Sequence, residues 1–193
     1  YKVELAREAF ALYMEYPGAM SVFCDGRTYR DTVAMERFAR RNARRGSTEA
    51  RQPNDGRFMV VRDLTEWMSR HAHEVEKFCM FFDTAEQAQA ALPRFRALAG
   101  AEVVQGSPDN IELTAQGVDK GTALLALADL LHIPREATVA VGDSENDRAM
   151  LEKAGIAAVM ANGMPHIQAL ADLVSTNDCD HDGVAELFER LGL

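Results

Sequence analysis

Residues 138–151 read Thr-Val-Ala-Val-Gly-Asp-Ser-Glu-Asn-Asp-Arg-Ala-Met-Leu. The short apolar run at residues 139–141 is typical of a buried strand in a parallel sheet. Gly142 lets the chain turn, and Asp143 then stands at the carboxyl end of this strand. Because ligands of open α/β sheets bind at that edge, the stretch predicts both an α/β fold and a polar site.

Three carboxylates crowd the start of the helix that follows. Asp143, Glu145 and Asp147 alternate along the chain, next to the amide of Asn146. Such a cluster is unfavourable unless the carboxylates point into water or share a cation, and oxygen ligands of this kind suit Mg²⁺. The segment alone leaves two interpretations open, a magnesium site or an acidic, solvated helix start.

The sequence also marks the boundaries of the neighbouring elements. Ser144 is predicted to cap the helix that follows, and Gly155 to end it as a left-handed C-cap residue. Residues 155–160 form a second buried-strand pattern, which leads into Asn162 and a glycine. Pro165 is predicted to begin the next helix at the position that proline prefers.

Lys120 stands at an unusual position upstream. It begins a leucine-rich helical pattern, and a cation at a helix N-terminus is disfavoured by about 0.3–1 kcal/mol. The position is favourable if an anion is also bound, because helix N-terminal amides and an ammonium group together hold phosphate well. The alternative is a surface lysine whose ammonium group points into water.

These segments, in this order, resemble the C-terminal half of the haloacid dehalogenase-like (HAD) phosphatases, and most closely the Cof-type branch with its large α/β cap. Lys120 matches the family's third motif, and residues 142–147 match its fourth. Residues 159–163 and 177–183 are similar to further Cof-type features. The resemblance covers residues 117–193, and its specificity comes from four segments in register.

The resemblance implies a Mg²⁺-dependent phosphatase that hydrolyses a small phosphate monoester, such as a sugar phosphate or a cofactor phosphate. In that family pattern Asp143 is a Mg²⁺ ligand, and Lys120 is a catalytic residue that holds the phosphoryl oxygens. Asp147 carries over as a catalytic residue that orients Lys120 or the waters of the metal. Asn146 and Asn162 carry over as contacts to the substrate or its phosphate.

The family's first motif, Asp-x-Asp-Gly-Thr, is not identifiable. The candidate pair, Asp25-Gly26, has Phe23 instead of Asp two residues before Asp25, and its flanks predict a hairpin around an Asp-Gly turn. The second motif is not identifiable either. We therefore expect a nucleophilic carboxylate outside this chain, a fragment that comprises the cap and half of the core, and no phosphatase activity from the chain alone.

The resemblance and the changes of pattern predict an α/β cap at residues 1–115 and the second half of a Rossmann-like core at residues 116–193. In the core half we expect a parallel sheet of three strands, in which strand 138–142 is an open edge that can pair with another molecule. Within the cap, the patterns predict helices at 3–16, 32–45, 63–72 and 84–98, a hairpin at 20–30, a polar loop at 46–56, and strands at 75–82, 101–106 and 110–114.

Composition limits the location and the class of protein. The 193 residues are 47% hydrophobic, so the chain can bury a core, and no apolar run approaches the ~20 residues of a membrane span. The three cysteines, Cys24, Cys79 and Cys179, lack the spacing of a metal site. We expect buried thiols at the first two positions and a reducing, cytoplasmic location without membrane partners.

The net charge of −9 conceals a basic segment. Residues 27–51 contain eight arginines and three acidic residues, whereas residues 101–193 contain sixteen acidic and five basic residues. The arginine spacing favours a solvated helix face over a nucleic-acid surface. No nucleic acid is therefore expected as a partner, and the partner that the resemblance implies is a small phosphorylated metabolite. The eight arginines are Arg27, Arg30, Arg37, Arg40, Arg41, Arg44, Arg45 and Arg51.

The alternative to a phosphatase is a non-catalytic phosphate-binding or regulatory protein of the same fold, which lacks the first motif but keeps the phosphate pocket. A phosphomutase on this fold is a third, weaker alternative. An Asp-x-Asp-Gly-Thr motif in the gene upstream of Tyr1 would favour the enzyme.

Overall fold

The computed structural model describes residues 2–44 and 58–193. The chain divides into two compact units, Tyr1–Gln116 and Gly117–Leu193. Both combine helices with strands, and the mixed α/β fold class is as predicted. The polar loop predicted at residues 46–56 lies outside the described residues. None of the described helices is long and apolar enough to span a membrane.

The first unit is built on a six-stranded sheet with strand order β3-β2-β1-β4-β6-β5. Neighbouring strands are antiparallel, except that β2 and β3 run parallel. Its elements agree with the predicted ones to within a few residues at each end, except that β3 was not predicted. They are α1 (Val3–Met14), β1 (Gly18–Cys24), β2 (Arg27–Asp31), α2 (Thr32–Arg44), β3 (Phe58–Val61), α3 (Leu64–His71), β4 (Val75–Phe82), α4 (Ala85–Arg96), β5 (Ala101–Val104) and β6 (Asn110–Ala115).

A tight turn joins β1 to β2, as the Asp-Gly pair predicted. Asp25 and Gly26 both have positive φ, 49° and 66°. Two positive φ values are typical of two-residue hairpin turns, because the twist of such a turn matches the twist of the flanking strands. The pair therefore connects antiparallel strands.

One face of the six-stranded sheet carries the core of the first unit. Along β1, Met20 and Val22 point into this core together with Phe78 of β4, and helices α1, α3 and α4 cover them. The Tyr13 hydroxyl satisfies its hydrogen bond within the core by donating to the carbonyl of Ile111 at 3.1 Å. Cys24 and Cys79 are buried free thiols, as predicted.

The arginine-rich helix α2 does not present all of its arginines to solvent, so the predicted solvated face is wrong for two of them. Arg41 is half-buried and forms an ion pair with Asp109 at 3.0 Å, and half-buried Arg37 donates to the Gly18 carbonyl at 2.7 Å. Arg40 and Arg44 are exposed. The prediction fails because these long side chains reach the start of β1 and the loop before β6. Arg45 and Arg51 lie outside the described residues.

The second unit contains a three-stranded parallel sheet with order β7-β8-β9, which confirms the predicted sheet. Within the described ranges, β7 pairs with β8 alone and forms an open edge. The elements are α5 (Lys120–Leu130), β7 (Val139–Gly142), α6 (Arg148–Lys153), β8 (Ile156–Val159), α7 (Pro165–Gln168), β9 (Leu173–Val174) and α8 (Gly183–Leu191), with 3₁₀ turns at Arg135–Ala137 and Glu145–Asp147.

The predicted left-handed C-cap at Gly155 is wrong. Helix α6 ends at Lys153, its C-cap residue Ala154 has an extended conformation (φ −65°, ψ 164°), and Gly155 is not among the described residues with positive φ. A Cβ atom at Gly155 would lie 2.5 Å from the Arg135 carbonyl oxygen. The glycine is therefore required by close backbone packing, which sequence pattern alone does not show.

Candidate functional site

The carboxyl edge of the three-stranded sheet collects the polar residues that the sequence singled out. Asp143 directly follows β7, and Asn162 lies in the loop between β8 and α7. Because the two strands are parallel, these residues lie at the same edge. The Asn162 amide is 3.5 Å from an oxygen of the Asp143 carboxylate, and the Asp143 carbonyl accepts from the Met164 N–H at 2.9 Å.

Helix α5 brings Lys120 to this edge, where its ammonium group contacts the carboxylate of Asp147. Lys120 Nζ lies 2.5 Å from Asp147 Oδ1. Its side chain is 49% exposed, whereas that of Asp147 is 8% exposed. Since Asp119 occupies the N-cap and accepts from the Thr122 N–H at 2.6 Å, Lys120 is the first residue of the helix, as predicted.

The buried Asp147 connects the lysine to the strand end. Its second oxygen accepts from the backbone N–H groups of Asp143 at 3.1 Å and Ser144 at 3.3 Å. Gly142 makes this possible, because a Cβ atom there would lie 2.5 Å from the Cβ of Asp147. A single carboxylate thus fixes both the Lys120 ammonium group and the turn that carries Asp143.

Ser144 and Asn146 complete the turn after β7. Ser144 is the N-cap residue of the 3₁₀ turn, as predicted, although that turn leads into α6 instead of being part of it. Its hydroxyl donates to Asn146 Oδ1 at 2.8 Å. In the described part of the chain the Asn146 amide nitrogen has no hydrogen-bond partner, so it can donate to a ligand.

Glu145 is paired with two neighbouring side chains. Arg148 contacts it at 2.7 Å and His166 at 2.8 Å. The hydrogen bond from Arg148 is the main cause that lowers the Glu145 pKa, and His166 adds to it. The three clustered carboxylates therefore divide into one paired with arginine, one paired with Lys120, and Asp143, whose carboxylate contacts only the Asn162 amide among the described side chains.

The donor set for a cation is small. Among the described residues there is no group of three or more His, Cys, Asp and Glu side chains that is arranged to hold a metal ion. Mg²⁺ is commonly held by one or two carboxylates together with waters and substrate phosphate. The Asp143 carboxylate at the sheet edge fits that pattern as a single protein ligand.

The sequence did not indicate what supports Asn162. Its Oδ1 accepts from the Cys179 N–H at 2.9 Å, and the adjacent Ala161 N–H donates to Ser175 Oγ at 2.9 Å. The loop after β9 is itself held by Glu186, which accepts from the N–H groups of Thr176 and Asn177 at 2.8–3.0 Å. Ser175, which directly follows β9, is the sequence feature that could have indicated this support.

A family model described as haloacid dehalogenase-like hydrolase matches residues 6–188. The chain belongs to this family. The curated relatives and the α/β architecture agree with the Cof-type branch of this family. A solved structure of a haloacid dehalogenase-like hydrolase from Bacillus subtilis is 26% identical, with a TM-score of 0.75 over 99% of this chain and 71% of that chain.

Two curated relatives from Bacillus subtilis (strain 168) are phosphatases. Phosphatase YwpJ is 39% identical over 106 residues, which cover 55% of this chain and 37% of the relative. The 5-amino-6-(5-phospho-D-ribitylamino)uracil phosphatase YcsE is 32% identical over 118 residues, which cover 61% of this chain and 47% of the relative. The matched segments therefore span less than half the length of these relatives.

Proposed function

We propose that this HAD-family chain is part of a Mg²⁺-dependent phosphomonoesterase that hydrolyses a small phosphate ester through an aspartyl-phosphate. The observation that carries the proposal is the Lys120–Asp147 ion pair beside Asp143, at the carboxyl end of β7. A fixed ammonium group and a carboxylate at one sheet edge are the positioning and charge-neutralising groups that phosphoryl transfer requires.

Lys120 is proposed to be the residue that neutralises the transferring phosphoryl group. Asp147 holds one side of the ammonium group, and the half-exposed side chain leaves its other N–H bonds free for phosphoryl oxygens. Because Asp147 is also anchored by two backbone amides, it can keep Lys120 in place as charge builds up on the phosphate. Asp147 is therefore proposed as a positioning partner for the catalytic lysine.

Asp143 is proposed to hold the Mg²⁺ ion, which when bound supplies Lewis-acid charge to the phosphate oxygens. Its carboxylate lies at the strand end and is not consumed by an arginine or lysine among the described contacts. Asn146 and Asn162 are proposed to donate to the substrate or its phosphate. The Cys179 N–H donates to the side-chain oxygen of Asn162. This hydrogen bond fixes the side chain, so its NH₂ group is positioned to donate.

In the same proposal, the first unit is the cap that contributes specificity, and the second unit is the C-terminal half of the core. The substrate is a small phosphorylated metabolite, either a sugar phosphate or a cofactor phosphate. The relative that is a 5-amino-6-(5-phospho-D-ribitylamino)uracil phosphatase supports this class. The buried free thiols of Cys24 and Cys79 support a reducing, cytoplasmic location. We also propose self-association through the open edge of β7.

The nucleophile is proposed to be a carboxylate outside this chain, so residues 1–193 alone should not turn over p-nitrophenyl phosphate. In a longer form that includes the nucleophile, Asp143→Ala should lower kcat by about 10²-fold or more, because electrostatic stabilisation of the transition state is lost. Asp129→Ala is the matched control, since Asp129 is an exposed carboxylate on α5 and its removal should leave kcat unchanged.

The alternative function, a non-catalytic phosphate-binding or regulatory protein, gives the opposite result in the same assays. It predicts saturable phosphate binding that depends on Lys120, without turnover by the longer form. Near-normal Mg²⁺-dependent turnover by the Asp143→Ala variant would contradict the metal assignment. Robust turnover by residues 1–193 would show that the nucleophile lies inside this chain.

A further inference from the structure

A cavity of about 440 Å³ lies in the first unit, between helix α2 and the end of β4. Four arginines line it, Arg37, Arg40, Arg41 and Arg44, and we name it the arginine cleft. Its volume is within the range of small-molecule sites, about 300–1,000 Å³. The four arginines face two lining carboxylates, Asp83 and Asp109, so the cleft is positively charged in a chain whose net charge is −9.

Two of the arginines are held rigidly by the surrounding structure. The Arg41 guanidinium stacks over the Phe81 ring at 4.0 Å from its centroid and makes two hydrogen bonds to the Asp109 carboxylate at 3.1 and 3.3 Å. Arg37 donates one N–H to the Gly18 carbonyl at 2.7 Å. Fixed guanidinium groups lose little conformational entropy when they bind an anion.

The other two arginines, Arg40 and Arg44, are exposed. Within residues 2–44 and 58–193 neither forms an ion pair. They are four positions apart on α2, so both lie on the same face of the helix. Two like charges held side by side disfavour each other unless an anion lies between them.

A helix N-terminus adds to the positive potential. Helix α4 begins at the wall of the cleft, where Thr84 is its N-cap and Ala85 its first residue. The helix has twelve residues, and the partial positive charge of its N-terminus attracts anions. Phe81 and Pro108 supply apolar wall, as is usual for a site that takes an organic molecule.

We propose that the arginine cleft binds a small organic polyanion, a metabolite with two or more phosphate or carboxylate groups. The positive charges of the cleft are concentrated in one cavity of small-molecule size, which favours a compact ligand over a nucleic acid strand. The proposal concerns residues of the first unit and does not rest on the proposed phosphatase function. Arg40 and Arg44 bind the ligand directly, while Arg37 and Arg41 shape the fixed side of the site.

The test is calorimetric titration of the 193-residue chain with fructose 1,6-bisphosphate and with citrate, at constant ionic strength. We expect saturable binding with a Kd of about 1 mM or tighter. Binding of the bisphosphate alone identifies a phosphate-selective site, and binding of both identifies a general polyanion site. Arg40→Gln/Arg44→Gln should weaken binding by about tenfold or more, because two charge-assisted hydrogen bonds are lost.

The matched control is Arg7→Gln/Arg96→Gln, which removes two exposed arginines of the same unit outside the cleft and should leave the Kd unchanged. Hydrogen exchange of both variants verifies that the fold is retained. Binding should also survive Lys120→Met/Asp143→Asn, which separates the cleft from the proposed phosphatase site. The absence of saturable binding, equal weakening in the control, loss of binding in the Lys120 variant, or binding of a single-stranded oligonucleotide without binding of either small anion would overturn the proposal.

Discussion

The two units of this protein differ in how completely they bury their apolar residues. In the first unit, one large cluster lies between a single face of the sheet and the helices that cover it, and it includes Tyr13, Phe78 and Phe95 at 1% exposure or less. The second unit has smaller clusters, composed largely of alanine and aliphatic residues. Its single aromatic residue, Phe188, is 48% exposed.

The second unit also exposes surfaces that are usually covered. Strand β7 is an open edge in the described sheet, and the leucines Leu127, Leu130 and Leu131 on and after α5 are 53%, 74% and 56% exposed. Open strand edges and clustered apolar side chains are typical of surfaces that pair with other chain segments. The first unit is therefore stabilised mainly by packing, whereas the second depends more on its polar network.

The largest effect should come from Phe78→Ala in the first unit. Phe78 is 0% exposed at the centre of the large cluster, so its truncation should lower the free energy of unfolding of that unit by about 3–5 kcal/mol. Native-state hydrogen exchange measures each unit separately. The matched control is Phe188→Ala in the second unit, which should cost about 1 kcal/mol or less. Equal losses of unfolding free energy in the two variants would contradict the difference between the units.

A smaller loss is expected from Asp147→Ala in the second unit. The variant leaves the N–H groups of Asp143 and Ser144 without their acceptor, which should cost about 1–3 kcal/mol. Exchange of the amides at residues 142–147 should accelerate, while the first unit stays unchanged. Glu152→Ala is the control, because it removes only an exposed ion pair with Arg148. An effect no larger than that of the control would show that packing, not the polar network, holds this turn.

Acid should weaken the second unit through Glu186. Hydrogen bonds from the Thr176 and Asn177 backbone lower the Glu186 pKa from 4.5 to about 2. Since the folded-state pKa is lowered, this contribution to stability is complete above about pH 4.5 and is lost as the pH falls towards 2. In Glu186→Gln, the midpoint of thermal unfolding should depend less on pH across this window.

Glu189→Gln, at an exposed position on the same helix, is the control for this titration. Its midpoint of thermal unfolding should depend on pH as in the wild type. A profile for Glu186→Gln that matches the wild type would mean that the loop after β9 is held by other contacts.

The smallest effect on stability is expected from Val139→Lys, which places a charge at the start of the open edge strand. Val139 is half-buried, so the free energy of unfolding should change only modestly. Charged side chains on edge strands block strand pairing between molecules, so sedimentation velocity should show less self-association than for the wild type. Val184→Lys, on exposed α8, is the control. Undiminished association of the Val139 variant would exclude β7 as the contact.

Much of the fold could be predicted because its signals are local. The Asp25-Gly26 turn, the Ser144 cap of the 3₁₀ turn and the strand before Asp143 each depend on residues close in sequence. The predictions that failed depend on contacts between residues far apart in the sequence. Gly155 is required by the carbonyl of Arg135, twenty residues away, and the half-buried position of Arg41 depends on Asp109.

The sequence by itself determined the candidate residues of the site and the end of the strand that carries them. Strand, turn and helix patterns place Asp143 at a carboxyl edge and Lys120 at a helix start, because these properties arise from neighbouring residues. Only the tertiary structure decided which residues pair. Lys120 meets Asp147 across 27 positions of sequence, and Arg41 meets Asp109 across 68. Periodicity carries no information about which distant charges the packing of helices against a sheet will bring within hydrogen-bonding distance.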